Sequence, residues 1–385
     1  MVTVTQFYWK LSSFYFFYFA SIGAFIPFWG LYLQGQGLTP AQIGELMAIV
    51  LATKIIAPNI WGWIADHTGQ RMRVIRIAAL LALLCFSGVL LNSGYWWLAV
   101  VMALFSFFWN AALPQFEVTT LNSLGQHTHR YAHIRLWGSV GFVVAVMALG
   151  AALEYLDIAR LPWLVVLLLG ALWLTTLSVR EAPAVAPTST APSLRATLRD
   201  PRVLSLLSAC FLIQASHGPY YAFFTLYLEQ HGYARSLIGQ LWGLAVLAEV
   251  AVFLVAHRLL VRFSAGRLLA LALILTSLRW GLLALWPDIF PVLLFVQVLH
   301  AASYGLFHAA AISLIHALFP GRLQGRGQAL YTSLGFGLGG ATGSLLAGYL
   351  WEAHGAQSVY FMAAGLAAAG VLMMGLYQRR AQRVP

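Results

Sequence analysis

Twelve long apolar stretches, separated by short polar turns, recur from one end of this chain to the other and leave it one suitable solvent, a lipid bilayer. They run approximately over residues 7–33, 41–65, 74–92, 96–122, 132–154, 160–179, 203–228, 237–257, 267–286, 290–317, 327–350 and 357–377. A helix needs about 20 apolar residues to cross the hydrocarbon core, so twelve crossings need about 240. With 61% of 385 residues hydrophobic and only 9% charged, these spans account for nearly the whole apolar inventory. An all-α membrane protein with 12 transmembrane helices follows, and a water-soluble enzyme is excluded. The first stretch is too long for a signal-peptide core and lacks a small-residue cleavage site, so it reads as a retained helix.

The placement of charge gives the topology. If both termini are cytoplasmic, seventeen of the 22 basic residues fall in cytoplasmic segments, among them Lys10, Arg71, Arg73, Arg76, Arg130, Arg202, Arg262 and Arg380. Only Arg160 and Arg235 fall outside, and this bias is the positive-inside pattern. The net charge of +11 is therefore explained by the membrane, and nucleic acid is not an expected partner. Cys85 and Cys210 lie within apolar runs, and no HExxH, paired-aspartate or clustered-cysteine pattern occurs. No metal, cofactor or catalytic residue is expected.

One break in composition, residues 181–201, carries Pro183, Pro187, Pro192 and Pro201 among small polar residues. It divides six spans (1–180) from six (202–385) and reads as a cytoplasmic linker. An offset of 195 residues superposes Ser21, Gly23 and Tyr32 on Ser216, Gly218 and Tyr227, and Gly37, Ile43, Gly44 and Leu46 on Gly232, Ile238, Gly239 and Leu241. An offset of 194 brings Ser139, Gly141 and Phe142 onto Ser333, Gly335 and Phe336. A duplication in parallel orientation accounts for both, and such repeats place the binding site between the halves.

Between the second and third spans stands Gly62-Trp-Ile-Ala-Asp66-His67-Thr-Gly69-Gln70-Arg71-Met-Arg73. Asp66 at a helix end can pair with an arginine, and Gly69 permits a tight turn. The stretch resembles the cytoplasmic signature loop of the major facilitator superfamily, with His67 and Gln70 where that family usually has basic residues. Asp66 and Arg71 thereby become candidate gate residues. Tyr131-Ala-His-Ile-Arg135-Leu-Trp137-Gly138-Ser139-Val-Gly141-Phe142, with Tyr220-Tyr221, Leu247-Ala-Glu249, Arg279-Trp280 and Gln297-Val-Leu-His300, resembles the phenylpropionate permease branch. The resemblance implies the major facilitator fold of two six-helix bundles, a monomer, and proton-coupled import of aromatic carboxylic acids across a bacterial inner membrane. Sugars, nucleosides or export are the alternatives within the same fold.

A charge near the bilayer centre costs about 2.5–3.5 kcal/mol even on permissive scales, so each asks for a partner or a task. Lys54, Glu249 and Arg279 lie near mid-span, and Glu117 and Arg135 lie toward the cytoplasmic ends of the fourth and fifth spans. The repeat makes Lys54 and Glu249 equivalent. Three cations against two anions leave one positive charge, which an anionic solute would balance. Arg279 and Lys54 are therefore candidate solute contacts and Glu249 the candidate proton carrier, with Glu117 second. Arg135 is expected to serve the inner gate. Gln297, His300, Tyr304 and His308 fall within about 80° of one another on the tenth helix, and Gln214, His217, Tyr221 and Thr225 repeat the pattern on the seventh. Gln297, His300, His308, Gln214, His217 and Tyr221 are added as solute contacts, with Asn110 on the fourth span. Tyr18, in the aromatic run Phe14 to Phe19, would stack on an aromatic solute.

Overall fold

In the computed structural model, residues 4–181, 194–321 and 323–382 are described, and among them every regular element is helical. Six helices precede the proline-rich segment: α1 (Val4–Gly35), α2 (Pro40–Thr68), α3 (Arg71–Ser87), α4 (Tyr95–Leu124), α5 (Tyr131–Ala152) and α6 (Leu161–Ser178). Six follow it: α7 (Pro201–Gln230), α8 (Arg235–Arg262), α9 (Ala265–Leu285), α10 (Phe290–Leu318), α11 and α12 (Ala356–Ala381). α11 is continuous from Leu323–Tyr331 through Thr332–Gly339 into Gly340–His354. Pro183, Pro187 and Pro192 of the expected linker lie outside the described residues.

Ten of these helices are long and apolar enough to cross a membrane by length and composition. The other two span-length helices, α7 and α11, are more polar. For α7 the reason is its surroundings, because Gln214, Ser216, His217 and Thr225 are all buried within protein. A helix sheathed by protein need not be dressed for lipid.

The duplication is written into the turns. α1 and α7 both end on a glycine of positive φ, Gly37 (φ 82°) and Gly232 (φ 79°), one repeat apart. In each, the next amide reaches back five residues, Leu38 to the Leu33 carbonyl (3.2 Å) and Tyr233 to the Leu228 carbonyl (3.1 Å). This six-to-one bond with a left-handed glycine is the Schellman stop, and a Cβ would strain it.

Packing repeats as well. α1 lies against α5 and α6, and α3 against α4 and α6, while α7 lies against α11 and α12, and α9 against α10 and α12. Two compact units result, one of Met1–Leu38, Thr53–Thr188 and Ala234–Gly243, the other of Thr39–Ala52, Ser189–Tyr233 and Leu244–Pro385. Each takes the first part of one helix from the other half. In the second unit Gly44 of α2 crosses Gly348 of α11, and in the first Gly239 of α8 crosses Gly150 of α5. At either crossing an added Cβ would fall 2.6 Å from a backbone oxygen, of Ser344 or of Val146.

Those contacts also correct the register of the repeat in the fifth and eleventh helices. Gly141 meets the Phe16 carbonyl and Gly339 meets the Phe211 carbonyl, and Phe16 and Phe211 are one repeat apart. Gly141 therefore corresponds to Gly339, not to Gly335 as the 194-residue offset predicts. The difference is one helical turn. Gly335, Gly339 and Gly343 recur every fourth residue, so sliding by a turn still sets a glycine opposite Gly141, while Ser139 and Phe142 come to face Gly337 and Gly340.

Candidate functional site

The charged interior of the second unit is centred on Arg279 of α9, which is 0% exposed. Its Nε donates to the Val296 carbonyl (3.0 Å), one terminal nitrogen to His300 Nδ1 (3.1 Å) and Ser303 Oγ (2.9 Å), and the other to Gln297 Oε1 (3.2 Å). The guanidinium is also flanked by the rings of Tyr220 (4.5 Å) and Trp280 (4.2 Å). Charge, donors and faces are all engaged within the protein, which is how a buried arginine is tolerated.

Helix α10 supplies most of these partners because it is not uniformly α-helical. Ala301–Leu306 forms a π-helical turn, and His300 and Ser303 reach the same guanidinium nitrogen from its edge. Wide turns of this kind are concentrated at functional sites. At Gly305 the absent side chain admits α8, since a Cβ there would lie 3.3 Å from Glu249 Cγ. Glu249 is thereby held against α10 with its carboxylate 3.6 Å from His300 Nε2, its side chain 17% exposed. Arg279, His300 and Glu249 form one connected row.

Two further residues of the seventh helix join it. His217 Nδ1 lies 2.8 Å from the Ile213 carbonyl and its Nε2 3.4 Å from Ser303 Oγ. Tyr220 receives a hydrogen bond from Gln297 Nε2 (3.3 Å), and the Tyr221 ring lies 6.1 Å from that of His217. His308, one polar turn along α10, stands apart from Arg279, with its Nδ1 2.9 Å from the Tyr331 hydroxyl. Gln214 is 0% exposed, and among the described residues neither its amide nitrogen nor its oxygen has a hydrogen-bond partner.

In the first unit, among the described residues, the two within-span cations differ, Arg135 standing near Glu117 and Lys54 near no carboxylate. Arg71 is hydrogen-bonded to both Asp66 and Gln115, so the signature loop is latched to α4. The Glu181 carboxylate accepts from the Met72 amide (2.8 Å), and Arg76 donates to the Thr176 and Val179 carbonyls (3.2 and 2.7 Å). Arg135 lies 3.7 Å from Glu117 and 4.0 Å from the Phe19 ring centre. Asn110 of α4 donates to Thr53 Oγ1 of α2 (2.9 Å). Tyr18 is buried, stacked on Trp109 at 5.5 Å, with its hydroxyl donating to the Trp109 carbonyl at 3.5 Å. Lys54 follows Thr53 directly. Among the described residues no hydrogen bond or ion pair engages its ammonium.

Of the residues expected from sequence, the structure brings Arg279, His300, Gln297, His217, Tyr221 and Glu249 into one cluster, Asp66 with Arg71, and Glu117 with Arg135. It leaves Gln214, His308, Tyr18, Asn110 and Lys54 outside those groups. Ser303, Tyr220 and Trp280 complete the arginine's shell, and Gln115 completes the latch. Ser303 shares the polar face of Gln297 and His300, so helical spacing carries a signal for it. Gln115 gives none.

A family model described as the MFS_1 like family matches residues 8–362. The chain is 31% identical over 359 residues to the "Probable 3-phenylpropionic acid transporter" of Escherichia coli (strain K12), covering 91% of this chain and 92% of that one. It is also 31% identical over 372 residues to the "Maltose permease" of Geobacillus stearothermophilus, covering 95% and 93%. Among solved structures, the nucleoside transporter NupG superposes with a TM-score of 0.83 at 17% identity over 97% of this chain and 99% of that one. The POT family transporter PepTSo does so with a TM-score of 0.81 at 12% identity over 99% of each.

Proposed function

As the chain belongs to the MFS_1 like family and is a multi-pass secondary transporter of the major facilitator fold, not an enzyme, we propose that it imports a small aromatic carboxylate of the 3-phenylpropionate kind together with a proton. The proposed setting is a bacterial inner membrane, with a monomer whose termini are both cytoplasmic.

The observation that carries this reading is the uneven cancelling of buried charge. Glu117 faces Arg135, whereas Glu249 meets His300 and stands against Arg279 only across that imidazole, so three buried cations are set against two anions. Lys54 remains. An uncompensated ammonium within a span is stabilised by an arriving carboxylate, and a neutral sugar or nucleoside would leave it as it was. Arg279 contributes as the fixed post around which Gln297, His300 and Tyr220 are set. Lys54 is the proposed anion contact, and the Tyr18–Trp109 stack the proposed aromatic surface.

Glu249 is the proposed proton carrier because it is the mid-span carboxylate, and it meets a histidine, a side chain able to donate to it. Protonating Glu249 raises the buried sum from one positive charge to two and the arriving anion returns it to one, so the doubly loaded state alone restores the balance and alters which conformation is favoured. Alternating access follows if that difference in free energy drives the change.

Uptake of labelled 3-phenylpropionate into proteoliposomes, with and without an imposed pH gradient, tests the reading directly. Glu249→Gln is expected to abolish uphill accumulation while counterflow continues, and Lys54→Gln to weaken uptake of the acid. Uphill uptake retained by the glutamine variant would reject the proton assignment. Competition by maltose or nucleosides, with none by aromatic acids, would reject the solute class.

A further inference from the structure

Resting on the reading of Glu249 as proton carrier, we propose that Arg279 is a positioning residue that fixes the tautomer of His300, holding its single proton on Nε2. Glu249 then faces the N–H edge of a neutral imidazole across 3.6 Å, and the carboxylate alone takes up and releases the transported proton.

The argument needs only the inventory of donors and acceptors. A guanidinium has no acceptor, so the nitrogen 3.1 Å from Arg279 must supply a lone pair. That nitrogen is His300 Nδ1, which is therefore unprotonated. The remaining ring proton sits on Nε2, the atom 3.6 Å from the Glu249 carboxylate. His217 is set the opposite way. Its Nδ1 faces the Ile213 carbonyl at 2.8 Å and must donate, which leaves Nε2 to accept from the Ser303 hydroxyl at 3.4 Å. Ser303 accepts from the same arginine nitrogen that holds His300, at 2.9 Å, and its one hydroxyl proton faces both the His217 ring and the His300 carbonyl, each at 3.4 Å. The two imidazoles thus hold opposite tautomers, His300 set by the guanidinium and His217 by the Ile213 carbonyl, with ring centres 6.3 Å apart.

The groups facing His300 are Arg279 from α9, Glu249 from α8, His217 and Tyr220 from α7, and Tyr304 on its own helix. Protonating His300 would break its bond to Arg279 and set two cations within contact in a site closed to water. Protonating Glu249 leaves the bond from Arg279 to His300 Nδ1 intact and adds no second cation beside the guanidinium. The proton therefore has one seat.

The test is nitrogen NMR of the full-length protein in nanodiscs, labelled at histidine, with the His300 signals assigned by their loss in His300→Gln. Expected is an unprotonated Nδ1 and a protonated Nε2 throughout the range from about pH 5 to about pH 8, the range of an ordinary histidine. Arg279→Gln should release the ring, so that His300 titrates within that range and counterflow shows two ionisations instead of one. Arg279→Lys, which restores a donor, should return the single-ionisation profile. A wild-type His300 carrying its proton on Nδ1, or on both nitrogens, overturns the proposal even if the arginine variants do not fold. The spectrum does not depend on transport. A locked tautomer in a protein whose Glu249→Gln variant still accumulates solute would leave this inference standing and remove the proton assignment instead.

Discussion

Replacing Gln214 with methionine should make the protein more stable and a poorer transporter, and the two effects come from one feature. The side chain is fully enclosed on α7, and among the described residues both of its polar atoms lack partners. Its neighbours explain why: α11 passes at Gly335 and Gly339, where an added Cβ would fall 3.6 and 3.3 Å from the glutamine's Cγ and Cβ. A buried polar group left unsatisfied costs about 1–3 kcal/mol. Methionine has nearly the same volume and carries no such group, and a volume-conserving exchange costs under about 1.5 kcal/mol. The net gain is about 1 kcal/mol, worth roughly 2–4 °C at about 2–4 °C per kcal/mol for a unit of this size. Cys210, one turn earlier on the same helix and 0% exposed, provides the readout: a thiol-reactive dye in a Cys85→Ala background reports when this region opens on heating. Transport is expected to fall, because a polar pair unsatisfied in this state is available to the solute or to another conformation of α11. A melting temperature unchanged or lowered in Gln214→Met, with the variant well folded, would show that the amide is bonded and would refute the reasoning.

Gly141→Ala should destabilise the first unit by about 1–3 kcal/mol or more, since the new methyl meets the Phe16 carbonyl and α1 and α5 must separate. Gly170→Ala, in the interior of α6 with nothing within 4 Å, is the matched control and should raise melting slightly, as alanine is the better helix former by about 0.5–1 kcal/mol. Asp200 caps α7 by accepting from the Arg202 amide (2.7 Å), and the Arg202 guanidinium hydrogen-bonded to its carboxylate holds it below the usual aspartate range. The folded value is depressed, so the stabilisation is complete at neutral pH and fades as pH falls through that value, below about pH 4. Asp200→Ala should therefore cost about 1 kcal/mol near pH 7 and nothing at strongly acid pH, as read from paired melting curves.

The spans, the duplication and the polar faces of α7 and α10 were legible because each rests on a local rule, either apolar length or spacing around one helix. Partnership was not. Nothing in the chain distinguishes Arg279 from Lys54 as a mid-span cation, yet one is enclosed by Gln297, His300 and Ser303 and the other has no such shell. The π turn that sets His300 and Ser303 on one guanidinium nitrogen has no composition of its own. The register of α11 was hidden for a different reason, since glycines at every fourth position make neighbouring turns look alike. Gln115 shows the same limit, being an isolated glutamine until α4 folds it against Arg71.

The sheathed, polar character of α7 bears on how this chain enters the bilayer. A segment carrying Gln214, Ser216, His217 and Thr225 gains little by partitioning alone into hydrocarbon. Its polar groups are covered by helices made later, Ser216 at Trp280 of α9, His217 at Ser303 of α10 and Gln214 beside α11, so its settled place in the bilayer waits for them. Until then the second half of the protein is held at the membrane by its more apolar neighbours.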